Sequence, residues 1–186
     1  YGSDKTHSIP KKRLDDGVGF LSENRKEEGL MLNQNVAENL TTTNYYRFTR
    51  WGFIDKVKQH TSAKQIIDRL DIKIRELSQS VNELSGGNQQ KISLGRLLHH
   101  NAEIYILDEP TRGIDIASKS EIYKIMGELA TEGKAVIFIS SYLRELLGVC
   151  DTIGVMCRGV MQESRPKSEW TEDEILSIAI GQQADE

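Results

Sequence analysis

Leu84-Ser85-Gly86-Gly87-Asn88-Gln89-Gln90-Lys91 lies at the start of a segment with a clear helical pattern of apolar residues. Leu94, Leu97 and Leu98 recur at helical spacing, which predicts a helix over 89–100. The serine and the two glycines would then stand at the N-terminus of that helix, where free backbone N–H groups and the helix dipole favour phosphate. Glycine also lets a backbone approach an anion closely. The stretch therefore predicts a phosphate-binding helix start.

A short apolar segment follows this helix and ends in two acids. Ile104-Tyr105-Ile106-Leu107 predicts a buried strand, and Asp108, Glu109 and Pro110 come directly after it. Carboxylate oxygens suit Mg²⁺, so Asp108 is a candidate metal ligand. Glu109 would point elsewhere and could polarise a water that attacks a phosphate. Each stretch alone has a purely structural alternative: a turn before an ordinary helix, and two exposed acids at the end of a strand.

In this order and at this spacing, the two stretches resemble the signature and Walker B motifs of an ATP-binding-cassette (ABC) ATPase. In that family two cassettes stack head to tail, and ATP lies between the Walker A loop of one and the signature of the other. The resemblance implies that Ser85, Gly86, Gly87 and Gln89 contact a nucleotide held by the partner cassette. It also implies that Asp115 is the D-loop aspartate, which lies along the interface between cassettes.

The same resemblance implies ATP and Mg²⁺ as cofactors, with Asp108 as the metal ligand and Glu109 as the catalytic residue. Two further candidate nucleotide-site positions depart from the family pattern. Glu23 stands where the family has the Q-loop glutamine, and Ser141 stands where it has the switch histidine. Serine carries no charge near neutral pH, so it cannot act as a cationic clamp on a γ-phosphate. The departures leave open a degenerate cassette that mainly regulates a partner cassette by activating it in trans.

Four runs of sequence resemble the second cassette of the tandem-cassette ATPases that drive sugar uptake. They are ENRKEEGL (23–30), LSGGNQQK (84–91), EPTRGID (109–115) and ISSYLREL (139–146). Proteins of that group serve the import of monosaccharides such as ribose, galactose or xylose. A soluble, non-transport ABC ATPase is an alternative of another class, but the chain lacks the long coiled coils or basic linkers of those proteins.

The resemblance also implies the partners and the location of the protein. The partners would be a second ABC cassette, a transmembrane permease and a separate sugar-binding protein, with no nucleic acid. The protein would be cytoplasmic and peripheral on the inner face of the cell membrane, held there by the permease. The groove near Glu23 to Leu40 is where the family docks its permease, and Leu30, Met31, Leu32 and Val36 are either exposed for that contact or buried within the subdomain.

The phosphate loop that would complete a nucleotide site is absent from the sequence. No G-x-x-x-x-G-K-[ST] motif occurs, and in the family this loop lies upstream of the position where this chain begins. We therefore expect a C-terminal portion of a longer polypeptide. The isolated chain should bind ATP weakly or not at all, because the loop that supplies most phosphate contacts is missing.

Alternating strand and helix patterns predict an α/β fold with parallel strands. By resemblance this is a P-loop NTPase (RecA-like) core, truncated at its N-terminus, with an inserted α-helical subdomain. We predict a core remnant with the Q-loop region at 1–32, a helical subdomain ending in the signature helix at 33–100, and the remaining core at 101–186. The predicted strands are 18–21, 104–107, 135–139, 152–157 and 160–163. The predicted helices are 89–100, 116–131, 142–148 and 172–180, with another beginning near Thr61.

Composition limits the function classes. The chain has 186 residues, of which 38% are hydrophobic, and a formal net charge of −4. An acidic chain with few aromatic residues does not suggest a nucleic-acid surface. Cys150 and Cys157 match no zinc or redox spacing, which favours two free core thiols. The sequence has no apolar run of membrane-spanning length.

Overall fold

A computed structural model of the chain describes residues 9–181, and within them helices and strands alternate as predicted. The α-helices are α1 (Pro10–Asp15), α2 (Val36–Thr41), α3 (Lys56–Arg69), α4 (Gly86–His100), α5 (Ile116–Thr131), α6 (Leu143–Val149) and α7 (Glu172–Ala179). The strands are β1 (Val18–Leu21), β2 (Thr49–Arg50), β3 (Phe53–Ile54), β4 (Ile104–Asp108), β5 (Ala135–Ile139), β6 (Thr152–Cys157) and β7 (Val160–Pro166). Short 3₁₀ helices (Thr42–Phe48, Val81–Glu83 and Lys167–Glu169) and one turn of π-helix (Arg25–Gly29) complete the connections.

The chain divides into two compact units, Tyr1–Ile139 and Ser140–Glu186. The predicted boundary at residue 100 lies inside the first unit, and the division into three segments stays a prediction. Residues 1–8 and 182–186, at the ends of the first and last predicted segments, lie outside the described residues. No helix within 9–181 is long and apolar enough to cross a membrane.

The first unit contains a parallel sheet with the strand order β1-β4-β5. Val18 pairs with Ile104, and Ile104 pairs with Ala135, so the three strands run in register. The carboxyl ends of the strands lie at one edge, which brings the end of β1 beside the end of β4, and Asp108 beside Ile139 of β5. The predicted α/β fold with parallel strands is confirmed.

The two faces of this sheet differ in burial. Leu21, Tyr105 and Leu107 are at most 3% exposed. The neighbouring residues on the opposite face include Phe20 and Ile137, which are 56% and 50% exposed. Parallel sheets are normally covered on both faces, so a half-exposed apolar face is unusual.

Helix α4 connects the sheet to the helical part of the first unit. A Cβ atom on Gly19 of β1 would lie 3.4 Å from Leu97 Cδ2, so α4 packs closely on the strand. On its other side, a Cβ on Gly95 would lie 2.7 Å from Leu40 and 2.8 Å from Ile66. The glycine at position 95 lets α2 and α3 approach α4 more closely than a side chain would permit.

The segment before α4 differs from the sequence prediction. A helix start near Thr61 is wrong, because α3 begins at Lys56 and Asp55 is its N-cap, accepting a hydrogen bond from the N–H of Lys58. The preceding chain forms the antiparallel pair β2–β3 rather than helix. Its tip carries Trp51, which is 89% exposed, so this aromatic residue is not part of the core.

The second unit has its own apolar core. Strands β6 and β7 form the predicted hairpin, and α7 packs against it. Trp170 lies in this core, its indole N–H donates to the carbonyl of Ile153 (3.1 Å), and Arg165 stacks on its ring. Cys150 and Cys157 are both free thiols, as predicted; Cys157 is buried and Cys150 is half-buried.

Candidate functional site

Ser85 begins the signature helix. It is the N-cap of α4, and its hydroxyl accepts hydrogen bonds from the backbone N–H of Asn88 (3.4 Å) and from Asn88 Nδ2 (3.0 Å). Serine suits this position because its oxygen satisfies an N–H group that has no partner within the helix. Ser85 is exposed. The predicted helix is confirmed, although it begins at Gly86 and not at Gln89, and phosphate binding at its start stays a prediction.

The two signature glycines lie against α5 and against neighbouring turns of the first unit. A Cβ atom on Gly87 would lie 2.2 Å from Ser118 Oγ and 2.9 Å from Ser118 Cβ. A Cβ on Gly86 would lie 3.0 Å from a terminal nitrogen of Arg25 and 3.4 Å from the carbonyl oxygen of Gly113. Both positions therefore favour glycine for packing reasons that are independent of any phosphate.

Asp115, the D-loop candidate, is brought to the signature by Ser118. It is the N-cap of α5, and it accepts hydrogen bonds from the backbone N–H (3.0 Å) and the hydroxyl (2.8 Å) of Ser118. These hydrogen bonds hold the pKa of Asp115 below its ordinary value, so its carboxylate is charged at neutral pH. The same serine contacts Gly87, which places the signature and the D-loop candidate side by side.

Gln89 is buried in the first turn of α4. It is 5% exposed, and its Nε2 donates to the carbonyl oxygens of Val81 and Leu84, both at 3.2 Å. Its amide N–H groups are therefore already bonded within the unit, and a nucleotide contact by this side chain stays a prediction. Asn88 is half-buried beside Ser85, and it is a nearby polar side chain that the sequence analysis did not single out.

The two acids lie at the carboxyl end of β4, as predicted. Burial, and then the neighbouring charge of Glu109, raise the pKa of Asp108. Glu109 has a left-handed backbone (φ 46°), and its N–H donates to the carbonyl of Ile139 on β5 (2.9 Å). A residue with a side chain adopts this conformation at a cost of about 1–2 kcal/mol, and such strain is found where a side chain must be aimed.

The donor set at this strand end is compatible with Mg²⁺. Within residues 9–181, no group of three or more His, Cys, Asp or Glu side chains is arranged to hold a metal ion. Mg²⁺ at nucleotide sites commonly takes only one or two carboxylates and completes its shell with phosphates and water. Asp108 and Glu109 meet that smaller requirement, and a cation would also offset the burial that disfavours the charged form of Asp108.

Glu23, the Q-loop candidate, forms an ion pair with Arg112 of the turn after the strand acids. The two side chains are 44% and 63% exposed, so the pair adds little to stability. Ser141 belongs to the second unit, where it is exposed and lies two residues before α6.

Lys91 is a buried cation of the signature helix, and the sequence pattern assigns it no role. It is 4% exposed, donates to the carbonyl of Asp71 (3.0 Å), and pairs with Glu121 of α5 (2.7 Å). Lys91 and Ser118 therefore both tie the start of α4 to α5. Only a partner distant in sequence reveals these roles, so local patterns could not find them.

An open groove of about 560 Å³ adjoins the signature. Charged residues line much of it, including Lys73 and Asp71, which form an ion pair, and Arg75 and Glu83, which form another. Ser85 lies at this groove, so the N-cap is reachable from solvent on that side.

Comparison with known proteins shows which sequences this chain resembles. The ABC transporter family matches residues 2–112. The ribose import ATP-binding protein RbsA of Lactococcus lactis subsp. lactis is 41% identical over 182 residues, which is 98% of this chain and 37% of that protein. The putative ribose/galactose/methyl galactoside import ATP-binding protein 1 of Rhizobium etli is 42% identical over 172 residues, covering 92% of this chain and 33% of that protein. The chain thus spans about a third of the length of these relatives.

Solved structures share the fold. A nucleotide-free ATP-binding cassette from an ABC transporter matches 96% of this chain and 74% of its own, with a TM-score of 0.76 and 21% identity. A dimeric cassette in a post-hydrolysis state, bound to ADP and Pi, matches 84% of this chain and 65% of its own, with a TM-score of 0.69 and 21% identity. These likenesses confirm the predicted cassette fold of the P-loop NTPase class.

Proposed function

The chain belongs to the ABC transporter family, and we propose that it is part of the ATP-binding subunit of a monosaccharide importer. The names of the relatives support this proposal, because they are import proteins for ribose or for ribose and galactosides. Since the chain spans only about a third of their length, the activity, substrate and partners of the whole protein are part of the proposal.

The observation that carries the proposal is the convergence of the signature and the D-loop candidate. Gly87 and Asp115 both contact Ser118, and Ser85 is an exposed N-cap directly beside them. This arrangement presents backbone N–H groups at a helix N-terminus, which suits a phosphate supplied from outside the chain. We assign that phosphate to ATP held by a second ABC cassette, in the same polypeptide or in a dimer.

The strand acids would serve a separate nucleotide. Asp108 would hold Mg²⁺, which supplies charge neutralisation at the phosphates, and Glu109 would orient the attacking water. The backbone hydrogen bond between Glu109 and Ile139 fixes the position from which that side chain extends. Both roles require the phosphate loop that this sequence lacks.

The half-exposed sheet supports the proposal that further protein completes the site. Phe20, Ile137 and Ile139 form an exposed apolar face on a parallel sheet, a kind of sheet normally buried on both sides. The rest of the parent protein would cover this face and supply the phosphate loop. Isothermal calorimetry of the 186-residue chain should therefore detect no ATP binding in the micromolar range, and micromolar affinity would contradict the proposal.

A degenerate cassette that activates its partner is the second candidate. The ion pair between Glu23 and Arg112 favours it, because the Q-loop position is already occupied by a protein contact. Separate Ser85→Ala and Glu109→Gln variants of the parent protein distinguish the two candidates by sugar uptake. Loss of uptake in both supports hydrolysis at the site of Glu109, whereas loss with Ser85→Ala alone supports activation in trans.

The proposed partners are a transmembrane permease, which would hold the subunit at the inner face of the membrane, and a separate sugar-binding protein. The permease would dock on the segment from Glu23 to Leu40. Leu30 and Val36 are 6% and 0% exposed and pack inside the unit, whereas Met31 is 37% exposed. Met31 is therefore the apolar contact to test, by cross-linking a Met31→Cys variant to the permease in membranes.

A further inference from the structure

Arg25 joins three segments that the proposed function uses. It lies in the π-helical turn Arg25–Gly29, directly after Glu23 and Asn24. Its Nη1 lies 3.3 Å from the carbonyl oxygen of Arg112 and 3.4 Å from Oε1 of Gln90 on the signature helix. One guanidinium therefore bonds two segments. One is the turn between the strand acids and Asp115, and the other is the start of α4.

The other terminal nitrogen of Arg25 lies under the signature itself. It is 3.0 Å from the point where a Cβ on Gly86 would stand, and the carbonyl oxygen of Gly113 is 3.4 Å from the same point. Arginine suits this place because one nitrogen of its planar fork bonds Arg112 and Gln90 while the other lies under Gly86. A lysine has one nitrogen on a flexible stem and cannot occupy both positions.

The turn that carries Arg25 is itself fixed to the signature helix. The carbonyl of Gly29 accepts hydrogen bonds from Ser93 (3.2 Å) and from Arg96, both on α4. Within the turn, Asn24 donates to Glu27 (2.7 Å). Hydrogen bonds therefore hold the backbone that carries the guanidinium in place, so the guanidinium can fix the positions of the groups that it contacts.

Arg25 is partly buried, and burial lowers the pKa of its guanidinium from the ordinary value. Lys26, the next residue, is exposed. The two neighbouring cations thus differ in burial and in contacts, which makes Lys26 a matched control for Arg25 in measurements on the chain without its permease.

We propose that Arg25 is a positioning residue, which sets the signature helix against the turn 112–113 so that Ser85 and Asp115 face the partner's nucleotide together. This inference rests on the proposed function, because it acts on the ATP that the partner cassette holds. It assigns no direct nucleotide contact to Arg25. The residue acts through the carbonyl of Arg112 and the amide of Gln90.

The experiment measures ATP hydrolysis by the parent protein with its permease. Arg25→Ala should lower kcat about tenfold, as expected from the loss of charge-assisted hydrogen bonds, and should leave KM for ATP within about twofold. Lys64→Ala, which removes an exposed cation outside the segment proposed to dock on the permease, should leave both constants unchanged. Arg25→Lys should stay within about threefold of Arg25→Ala, because a single lysine nitrogen that bonds Arg112 and Gln90 leaves the place of the second nitrogen under Gly86 empty.

Other outcomes would overturn the proposal. An unchanged kcat in Arg25→Ala, full rescue by lysine, or a rise in KM with kcat unchanged would each show that Arg25 does not act by position. Ser85→Ala separates this result from the proposed function. If Ser85→Ala abolishes hydrolysis while Arg25→Ala is silent, only the positioning role fails; if Ser85→Ala is silent too, the proposed function fails.

A second measurement does not need hydrolysis. Amide hydrogen exchange of the 186-residue chain should become faster at both 86–91 and 112–115 in Arg25→Ala, and at neither in Lys26→Ala. Faster exchange confined to the turn 25–29 would overturn the proposal, because the guanidinium would then stabilise only its own loop.

Discussion

Replacing Gly87 by alanine tests the contact between the signature and α5. The new Cβ would lie 2.2 Å from Ser118 Oγ and 2.9 Å from Ser118 Cβ. The hydroxyl can rotate away, but the Cβ of Ser118 is one bond from the backbone of α5. The helix or its partner must therefore shift.

The magnitude follows from two opposing effects. Overpacking of this kind costs about 1–3 kcal/mol. Alanine in place of glycine in a helix returns about 0.5–1 kcal/mol. Gly87→Ala should therefore lower the free energy of unfolding by up to about 2.5 kcal/mol, with a central value of about 1 kcal/mol, which shifts the urea midpoint by about 0.5 M for an m-value of about 2 kcal/mol/M.

The assay is urea denaturation of the 186-residue chain, followed by circular dichroism. Gly127→Ala is the matched control, because that glycine also lies in a helix, α5, and a Cβ there would meet nothing within 4 Å. It should stabilise the chain by about 0.5–1 kcal/mol. Ser118→Gly combined with Gly87→Ala should recover about 1–2 kcal/mol relative to the sum of the single changes.

The reasoning is refuted if Gly87→Ala is as stable as Gly127→Ala. It is equally refuted if the two changes at Gly87 and Ser118 are additive within about 0.5 kcal/mol, the usual error of additivity for independent sites. Either result would show that the close approach between α4 and α5 is absent in solution.

Three further predictions concern stability. Burial, with smaller effects of nearby positive charge, lowers the pKa of His99 to about 4, so below pH 6.5 the unfolded chain takes up a proton that the folded chain excludes. From pH 7 to pH 5, the free energy of unfolding measured by urea titration should fall by about 1–2 kcal/mol more in the wild-type chain than in His99→Gln, a range that allows for the partial exposure of His99. If the free energy of unfolding falls equally with pH in both chains, His99 is excluded as the cause. Glu109→Gly should raise the free energy of unfolding by about 0.5–1 kcal/mol, because glycine adopts the left-handed backbone without strain, and Glu109→Gln should leave it unchanged. Thermal melts in which the glycine variant is less stable than the wild-type chain would rule out strain at this position. Asn39→Ala should lower the free energy of unfolding by about 2–3 kcal/mol, because the side chain accepts from the N–H of Met31 (2.9 Å) and donates to the carbonyls of Met31 and Asn35 (both 3.0 Å). A loss of stability below about 1 kcal/mol in calorimetry would contradict that account.

Local periodicity was enough to predict the sheet and the longer helices. Val18–Leu21 and Ala135–Ile139 are short apolar runs, and Ile116–Thr131 has an uninterrupted helical repeat that ends before Gly133. In each of these segments the residues that face the core are set by neighbours within the same segment. The structure therefore confirms their bounds.

The segment 49–54 could not be predicted in the same way. Its apolar residues are too few to distinguish the two-residue strands β2 and β3 from a helical turn. The start of α3 was missed for a related reason. Thr61 has a hydroxyl suited to capping, but Asp55 carries the cap, and the hydroxyl of Thr61 bonds the carbonyl of Val57 inside the helix.

The sequence was sufficient to predict which segments contribute to the candidate site, but not which side chains contact one another there. The signature, the strand acids and the D-loop candidate each have a local pattern. Arg25, Ser118 and Lys91 gain their roles from partners elsewhere in the chain, and no local pattern records these. The burial of Gln89 is of the same kind, because it depends on the carbonyl of Val81.

Two separate physical effects favour glycine within Leu84–Lys91, so a glycine variant alone cannot show which of them matters for function. A phosphate at the helix start favours glycine at position 87, but the contact with Ser118 requires it in any case. Loss of transport in a Gly87 variant would therefore not distinguish nucleotide binding from packing. Ser85 is the better reporter, because its hydroxyl is exposed and its only described hydrogen bonds are with Asn88. Replacing Ser85 by glycine, which costs a few tenths of a kcal/mol at an N-cap, removes the hydroxyl with little loss of stability, so any large loss of transport would come from the partner's nucleotide.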